Sequence, residues 1–289
     1  MIYEHPLAYV LGLEGIALMR SYTGEHGRAF VEARLAEIRE LLDDESLAAA
    51  VEVVRVDPVE GYRIWSRTYD GPNTAFDLDE PFIREIVDPL PAGDALDAAC
   101  GTGRIAAYLA GRGHRVRGVD LSPDMLQRAR LRVPLAEFLL GDLSRLPVPD
   151  ESVDLVVCSL ALTHVPALDP VLAEFARVLR PGGHAVIADI HPEGVARGLI
   201  PPVRLPDGRP GRVATYRHLV GDYVRAALAA GLRVRRCEEP GNPPGEPRER
   251  SDVPGPWDVW PWALGDLAPE AAHAAVAGTP SMLLWHFQR

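Results

Sequence analysis

The 289-residue chain contains no lysine; all 30 of its basic residues are arginine. Chemistries that need an aliphatic amine, such as a pyridoxal-phosphate Schiff base or the lysine of a P-loop, are excluded. Cysteine is scarce as well. Cys100, Cys158 and Cys237 stand far apart without paired spacing, which points to a reduced, cytoplasmic protein. Cys100 reads as a small packing residue in preference to a redox-sensitive thiol. Positive charge is in deficit, 41 acidic against 30 basic residues for a net charge of −11. That balance argues against a nucleic-acid partner, which wants a basic face. No apolar run approaches the ~20 residues that span a bilayer, so no membrane partner is expected. The N-terminus lacks a basic start and Glu14 interrupts its apolar run, so a signal peptide is not expected. The histidines match no local metal-ligand spacing, and no metal is expected.

What is present is an ordinary globular composition, 47% hydrophobic, long enough for one large α/β domain with additions or two small domains. The densest signal is Ala95-Leu96-Asp97-Ala98-Ala99-Cys100-Gly101-Thr102-Gly103-Arg104-Ile105-Ala106. An apolar strand carrying an acid runs into a glycine-rich turn that opens a helix, as in nucleotide-cofactor loops. Formally, Gly101-x-Gly103-x-x-Ala106 with Asp120 downstream also satisfies a dinucleotide fingerprint. Three features favour S-adenosylmethionine (SAM) instead. Asp97 precedes the glycines, where a carboxylate repels a pyrophosphate and attracts an ammonium. Asp120 ends the second strand, in place for ribose hydroxyls, and Gly141-Asp142-Leu143 ends the third, in place for an adenine amine.

These blocks, with Val119-Asp120-Leu121-Ser122-Pro123-Asp124-Met125 and Leu179-Arg180-Pro181-Gly182-Gly183, resemble the class I SAM-dependent methyltransferases over roughly residues 61–289. Ala99 departs from the pattern by standing where the family has the loop's first glycine. The resemblance implies an α/β fold: a Rossmann-like, doubly wound, mostly parallel sheet with an antiparallel last strand, here with an N-terminal helical cap over 1–60. Strands are expected near 94–98, 115–119, 136–140, 153–159, 184–190, 232–238 and 282–287, the last at the sheet edge. Ser122 with Pro123, and Asp169 with Pro170, read as helix starts, and Tyr216–Ala230 as a further helix. Cap insertions are expected at about 191–215 and 239–262. In the N-terminal part, Val31, Leu35, Ile38 and Leu42 form one helix face. The nearly all-apolar 7–19 segment implies burial against the main domain or against a second subunit, as in a homodimer.

SAM is the expected cofactor, held by Tyr69, Asp97, Ala99, Gly101, Gly103, Asp120, Leu121, Met125, Asp142, Leu143 and Ser159. Asp97 serves the methionine end, directly or through water. Tyr69, in the segment Trp65-Ser66-Arg67-Thr68-Tyr69-Asp70, either faces the sulfonium through a cation–π contact or forms a helix face with Trp65. Catalytic candidates are His191, His164 and His218, with Tyr216 and Tyr223 as further choices, because His164 and His191 follow the fourth and fifth strands at the sheet's carboxyl edge. Trp257, Trp260 and Trp262 either line an apolar pocket or anchor a loop. The expected activity is methyl transfer to a small organic molecule, aromatic or apolar. Two alternatives stand beside it: an NAD(P)-dependent oxidoreductase, and a non-catalytic SAM-binding interaction protein.

Overall fold

A computed structural model of the chain describes residues 1–66, 69–71, 74–241 and 245–289. In chain order its strands are β1 (Ile2–Glu4), β2 (Val51–Val56), β3 (Asp94–Ala98), β4 (Arg115–Asp120), β5 (Glu137–Leu140), β6 (Val153–Ser159), β7 (Leu179–Ile190), β8 (Pro202–Arg204), β9 (Pro210–Val213), β10 (Arg233–Glu238) and β11 (Met282–Gln288). Its α-helices are α1 (Pro6–Arg20), α2 (Arg28–Leu42), α3 (Pro58–Trp65), α4 (Thr74–Val87), α5 (Arg104–Gly111), α6 (Pro123–Arg132), α7 (Asp169–Val178), α8 (Pro192–Ala196), α9 (Val220–Ala229) and α10 (Pro269–Val276). Two compact units emerge, one from Met1–Val56, Arg197–Val213 and Gly241–Thr279, the other from Asp57–Ala196, Ala214–Pro240 and Pro280–Arg289.

The second unit holds a seven-stranded sheet in the order β10-β11-β7-β6-β3-β4-β5. Strands β3 to β7 pair in parallel, and β11 runs antiparallel to both β7 and β10. The last strand is therefore antiparallel as expected, but it lies inside the sheet, and the arginine-rich β10 takes the edge. All five residues of β3 are buried, as a strand covered on both faces requires. One face packs Leu96, Val156, Phe175, Tyr223 and Trp285, the other Ile83, Ala95, Leu109, Leu126 and Leu284.

Three boundaries differ from expectation for local reasons. Strand β7 already starts at Leu179, and Pro181-Gly182-Gly183 form an irregularity within it, where the register on β6 shifts between Val153 and Leu155. Asp169 is the first residue of α7 and not its cap, which is Leu168. Helix α9 begins only at Val220, because Tyr216 N–H donates to Thr163 O at 2.7 Å and His218 Nε2 to Val165 O at 2.9 Å, tying the preceding run to the turn after β6. Ser122 caps α6 as expected, its hydroxyl accepting from Met125 N–H.

In the first unit, the expected helices of the N-terminal segment are joined by strands. A four-stranded sheet, β1-β2-β9-β8, draws its last two strands from the first expected insertion. Val10, Ala17, Leu41, Val53, Trp257, Trp260 and Leu264 make this unit's core. Trp257 and Trp260 are thus loop-anchoring core residues, and Trp262 is exposed. In the second insertion, residues 242–244 lie outside the described residues. Helix α2 turns a different face inward from the expected Val31, Leu35, Ile38 and Leu42: Arg34, Glu37 and Leu41 are buried, while Leu35 and Leu42 are exposed. Arg34 pairs with Glu37 and with Glu14 of α1, which is wholly buried. Among the described residues no helix is long and apolar enough to cross a membrane.

Candidate functional site

The turn after β3 is built from backbone that alanine and glycine hold at positive φ. Ala99 sits at +59°, Gly101 at +51° and Gly103 at +81°. Cys100 N–H donates to Val119 O at 2.9 Å and Gly103 N–H to Cys100 O at 2.8 Å, closing the turn against β4. A Cβ on Gly103 would press on Ala129 of α6 at 3.1 Å, so this glycine lets the start of α5 approach α6 closely. At Gly101 the space is open, and the nearest atom is a ring carbon of Tyr69, 4.0 Å from where a Cβ would stand.

Three aspartates stand at the ends of the neighbouring strands β3, β4 and β5. Asp97 is buried in β3 and accepts from Ala106 N–H at 2.7 Å, fixing the first turn of α5; burial raises its pKa to about 7. Asp120 accepts from Gly101 N–H and from Ser122 N–H, both at 2.8 Å, and burial raises its pKa too. Asp142 is exposed beyond β5; its Oδ1 accepts from the amide and the hydroxyl of Ser144, both at 2.7 Å. Met125 and Leu143 are buried beside these acids, and Leu121 is exposed next to Asp120.

Ser159, at the end of β6, donates to the buried Asp79, and its oxygen accepts from Arg104 Nη2 at 3.2 Å. Arg104 also binds Asp79 and Glu80 and lies 4.0 Å over the Phe76 ring. Thr102 donates to Asp70 at 2.6 Å, tying the turn to the segment that carries Tyr69. In that segment Arg67 and Thr68 lie outside the described residues. Tyr69 is edge-on to Tyr62 at 5.9 Å between centroids and tilted against Phe76 at 5.9 Å; burial raises its pKa to about 12.

The histidines fall into three different settings. His164 Nε2 meets Tyr62 Oη at 2.8 Å and Nδ1 meets Ala214 O at 2.8 Å. His191 is buried, with Nε2 on Glu239 at 2.9 Å and Nδ1 accepting from Glu193 N–H at 3.1 Å. His218 is buried with Nε2 on Val165 O, its ring between Tyr216 and Tyr223. Tyr216 is half-buried, and Tyr223 is buried in a stack on Trp285. The fold brings the turn, its three acids, Ser159 and Tyr69 together at the carboxyl edge of β3 to β6, where ligands bind in such sheets. His164 joins them through Tyr62 and Tyr69, whereas His191 and His218 hold loops.

Tyr62, Asp79 and Asp189 belong to this edge and were not singled out from the sequence. Tyr62 had a readable signal, its i, i+3, i+7 spacing with Trp65 and Tyr69. Asp79 and Asp189 had none, since only the fold places them beneath Ser159 and Thr163.

The donor set fits SAM better than a dinucleotide. Gly101 N–H, which would face a pyrophosphate, is committed to Asp120, and the adjacent cation Arg104 is neutralised by Asp79 and Glu80. What remains is acidic and aromatic, suited to an ammonium, hydroxyls, an amine and a sulfonium.

Residues 96–187 match the family model described as a methyltransferase domain. Over 93 residues the chain is 43% identical to a malonyl-[acyl-carrier protein] O-methyltransferase of Serratia marcescens, covering 32% of this chain and 36% of that protein. Over 125 residues it is 39% identical to methyltransferase GfsG of Streptomyces halstedii, 41% of this chain and 44% of that protein. The chain thus matches less than half the length of these relatives. Among solved structures, a SAM-dependent methyltransferase from Mesorhizobium loti superposes with a TM-score of 0.51 at 25% identity, over 72% of this chain and 96% of that one.

Proposed function

We propose that this chain, which carries a class I SAM-dependent methyltransferase domain, transfers the methyl group of SAM to a small organic acceptor. The observation that carries this reading is the placement of Asp97, Asp120 and Asp142 at the ends of three neighbouring strands, beside an open glycine turn that Asp120 holds and Tyr69 faces. When bound, SAM supplies a methyl group made electrophilic by its positively charged sulfur. Asp120 holds the ribose hydroxyls, and Asp142 with Leu121, Met125 and Leu143 holds the adenine. Ser159 lies under the methionine portion, and Asp97 adds negative charge beneath it. Tyr69 offers an aromatic face to the cation, and its ring helps exclude water.

Of the catalytic candidates we retain His164, which lies nearest the aromatic group Tyr62, Tyr69 and Phe76. That group, and not the tryptophans of the other unit, supports an aromatic or apolar acceptor. Asp120→Ala should weaken S-adenosylhomocysteine binding by about 10- to 100-fold, as loss of hydrogen bonds to a charged group implies. Calorimetric titration checks this, and unchanged affinity would remove Asp120 from the ribose site.

A further inference from the structure

The hydrogen bond between Tyr62 and His164 has a direction set by its neighbours. Ala214 O can only accept, so His164 Nδ1 carries a proton. Burial lowers the pKa of the ring, so it is neutral near pH 7 and Nε2 holds a lone pair. Tyr62 is therefore the donor at 2.8 Å, and its oxygen can still accept from a further partner. The phenol is edge-on to Tyr69, the side chain facing the open side of Gly101. Beneath this pair, buried Asp189 accepts from Thr163 N–H at 2.8 Å and from its hydroxyl at 3.1 Å, fixing the turn that presents His164.

We propose that Tyr62 removes the proton of the methyl acceptor, with His164 as the base behind it, and that the acceptor is a hydroxyl compound and not a carboxylate. This rests on the methyl-transfer reading of the site. As the acceptor oxygen bonds to carbon, its proton passes to Tyr62 Oη and the tyrosine proton passes to His164 Nε2. The O–H electron pair stays on the acceptor oxygen, replacing the pair used in the new bond. The methyl group leaves its sulfur without the electrons of that bond. An imidazolium results, its Nδ1–H still on Ala214 O. A carboxylate, already ionised at neutral pH, brings no proton for this pair to take.

Native protein, Tyr62→Phe and His164→Gln are compared in three measurements. All three should bind S-adenosylhomocysteine within about 3-fold, by calorimetry. Nitrogen-15 spectra of histidine-labelled protein should show the Nδ1–H tautomer at His164, with the Nε2 signal shifted in Tyr62→Phe. With SAM, the native protein should methylate members of a panel of phenols and alcohols (phenol, catechol, 2-naphthol, benzyl alcohol) and neither benzoate nor 2-naphthoate. Tyr62→Phe should lower kcat by about 100-fold or more, in the range of general acid–base catalysis, with KM within about 3-fold. An Nε2–H tautomer, methylation of the carboxylates, an undiminished kcat in Tyr62→Phe, or no methylation of any hydroxyl compound while cofactor binding persists, overturns the proposal alone. Failure of the native protein to bind S-adenosylhomocysteine overturns the methyl-transfer reading and this proposal with it.

Discussion

Ala99 holds a backbone conformation, φ +59°, that costs an L-residue about 1–2 kcal/mol. Glycine there would shed that strain at an entropic cost of about 0.5–1 kcal/mol. Ala99→Gly should therefore raise unfolding free energy by about 0.5–1 kcal/mol, read from urea denaturation; a loss of stability would contradict the strain argument. Gly118 makes the opposite case. A Cβ there would stand 2.4 Å from the Phe138 ring and 2.9 Å from Cys100 Sγ. Gly118→Ala should cost about 1–3 kcal/mol by overpacking, and an unchanged urea midpoint would refute it. The departure at Ala99 was legible because a motif defined what should stand there. The need for Gly118 was not, because it arises from a ring on β5 and a thiol in the turn. The same division runs through the candidate site. Residues at strand ends in a recognisable pattern could be read directly, whereas the partners that decide the roles of His164, His191 and His218 come from distant segments.

At the scale of elements, α2 shows where pattern reading gives way to pairing. Val31, Leu35, Ile38 and Leu42 mark one face, yet the buried face carries Arg34, Glu37 and Leu41, because Glu14 of α1 is buried opposite and meets Arg34. Burial and a hydrogen bond with Glu37 raise the pKa of Glu14 to about 8. Arg34→Leu should cost about 3 kcal/mol, since it strips the buried Glu37 of its partner at 2.5 Å, and adding Glu37→Leu should restore most of the loss. Urea unfolding of both variants checks this; a neutral single variant would show that the pair carries no weight. The parallel strands β3 to β7 were legible from their apolar runs and intervening helices. The position of β11 between β7 and β10 was not, because order within a sheet depends on partners that no local segment encodes.

For the whole molecule, burial of acids sets the response to pH. Asp97, Asp189 and Glu14 have folded pKa values raised to about 7, about 6 and about 8. Each stabilises the fold in its protonated form relative to the unfolded chain, and that contribution is lost as pH rises from the ordinary carboxylate range through those values. Asp94 is the reverse. Its hydrogen bonds with Arg115, then Arg180, hold its pKa down to about 2, so its contribution is present above the ordinary value and lost as pH falls through about 2. Thermal unfolding should show greatest stability near about pH 4 to 5 and a decline from there toward pH 8, which Asp97→Asn should flatten. A melting temperature that rises steadily from pH 5 to 8 would contradict this. The measurement that bears most directly on the central claim is calorimetric titration of the native chain with S-adenosylhomocysteine and, separately, with NADH. Saturable binding of S-adenosylhomocysteine alone is the predicted result. Binding of NADH in its place, or of neither, would contradict it.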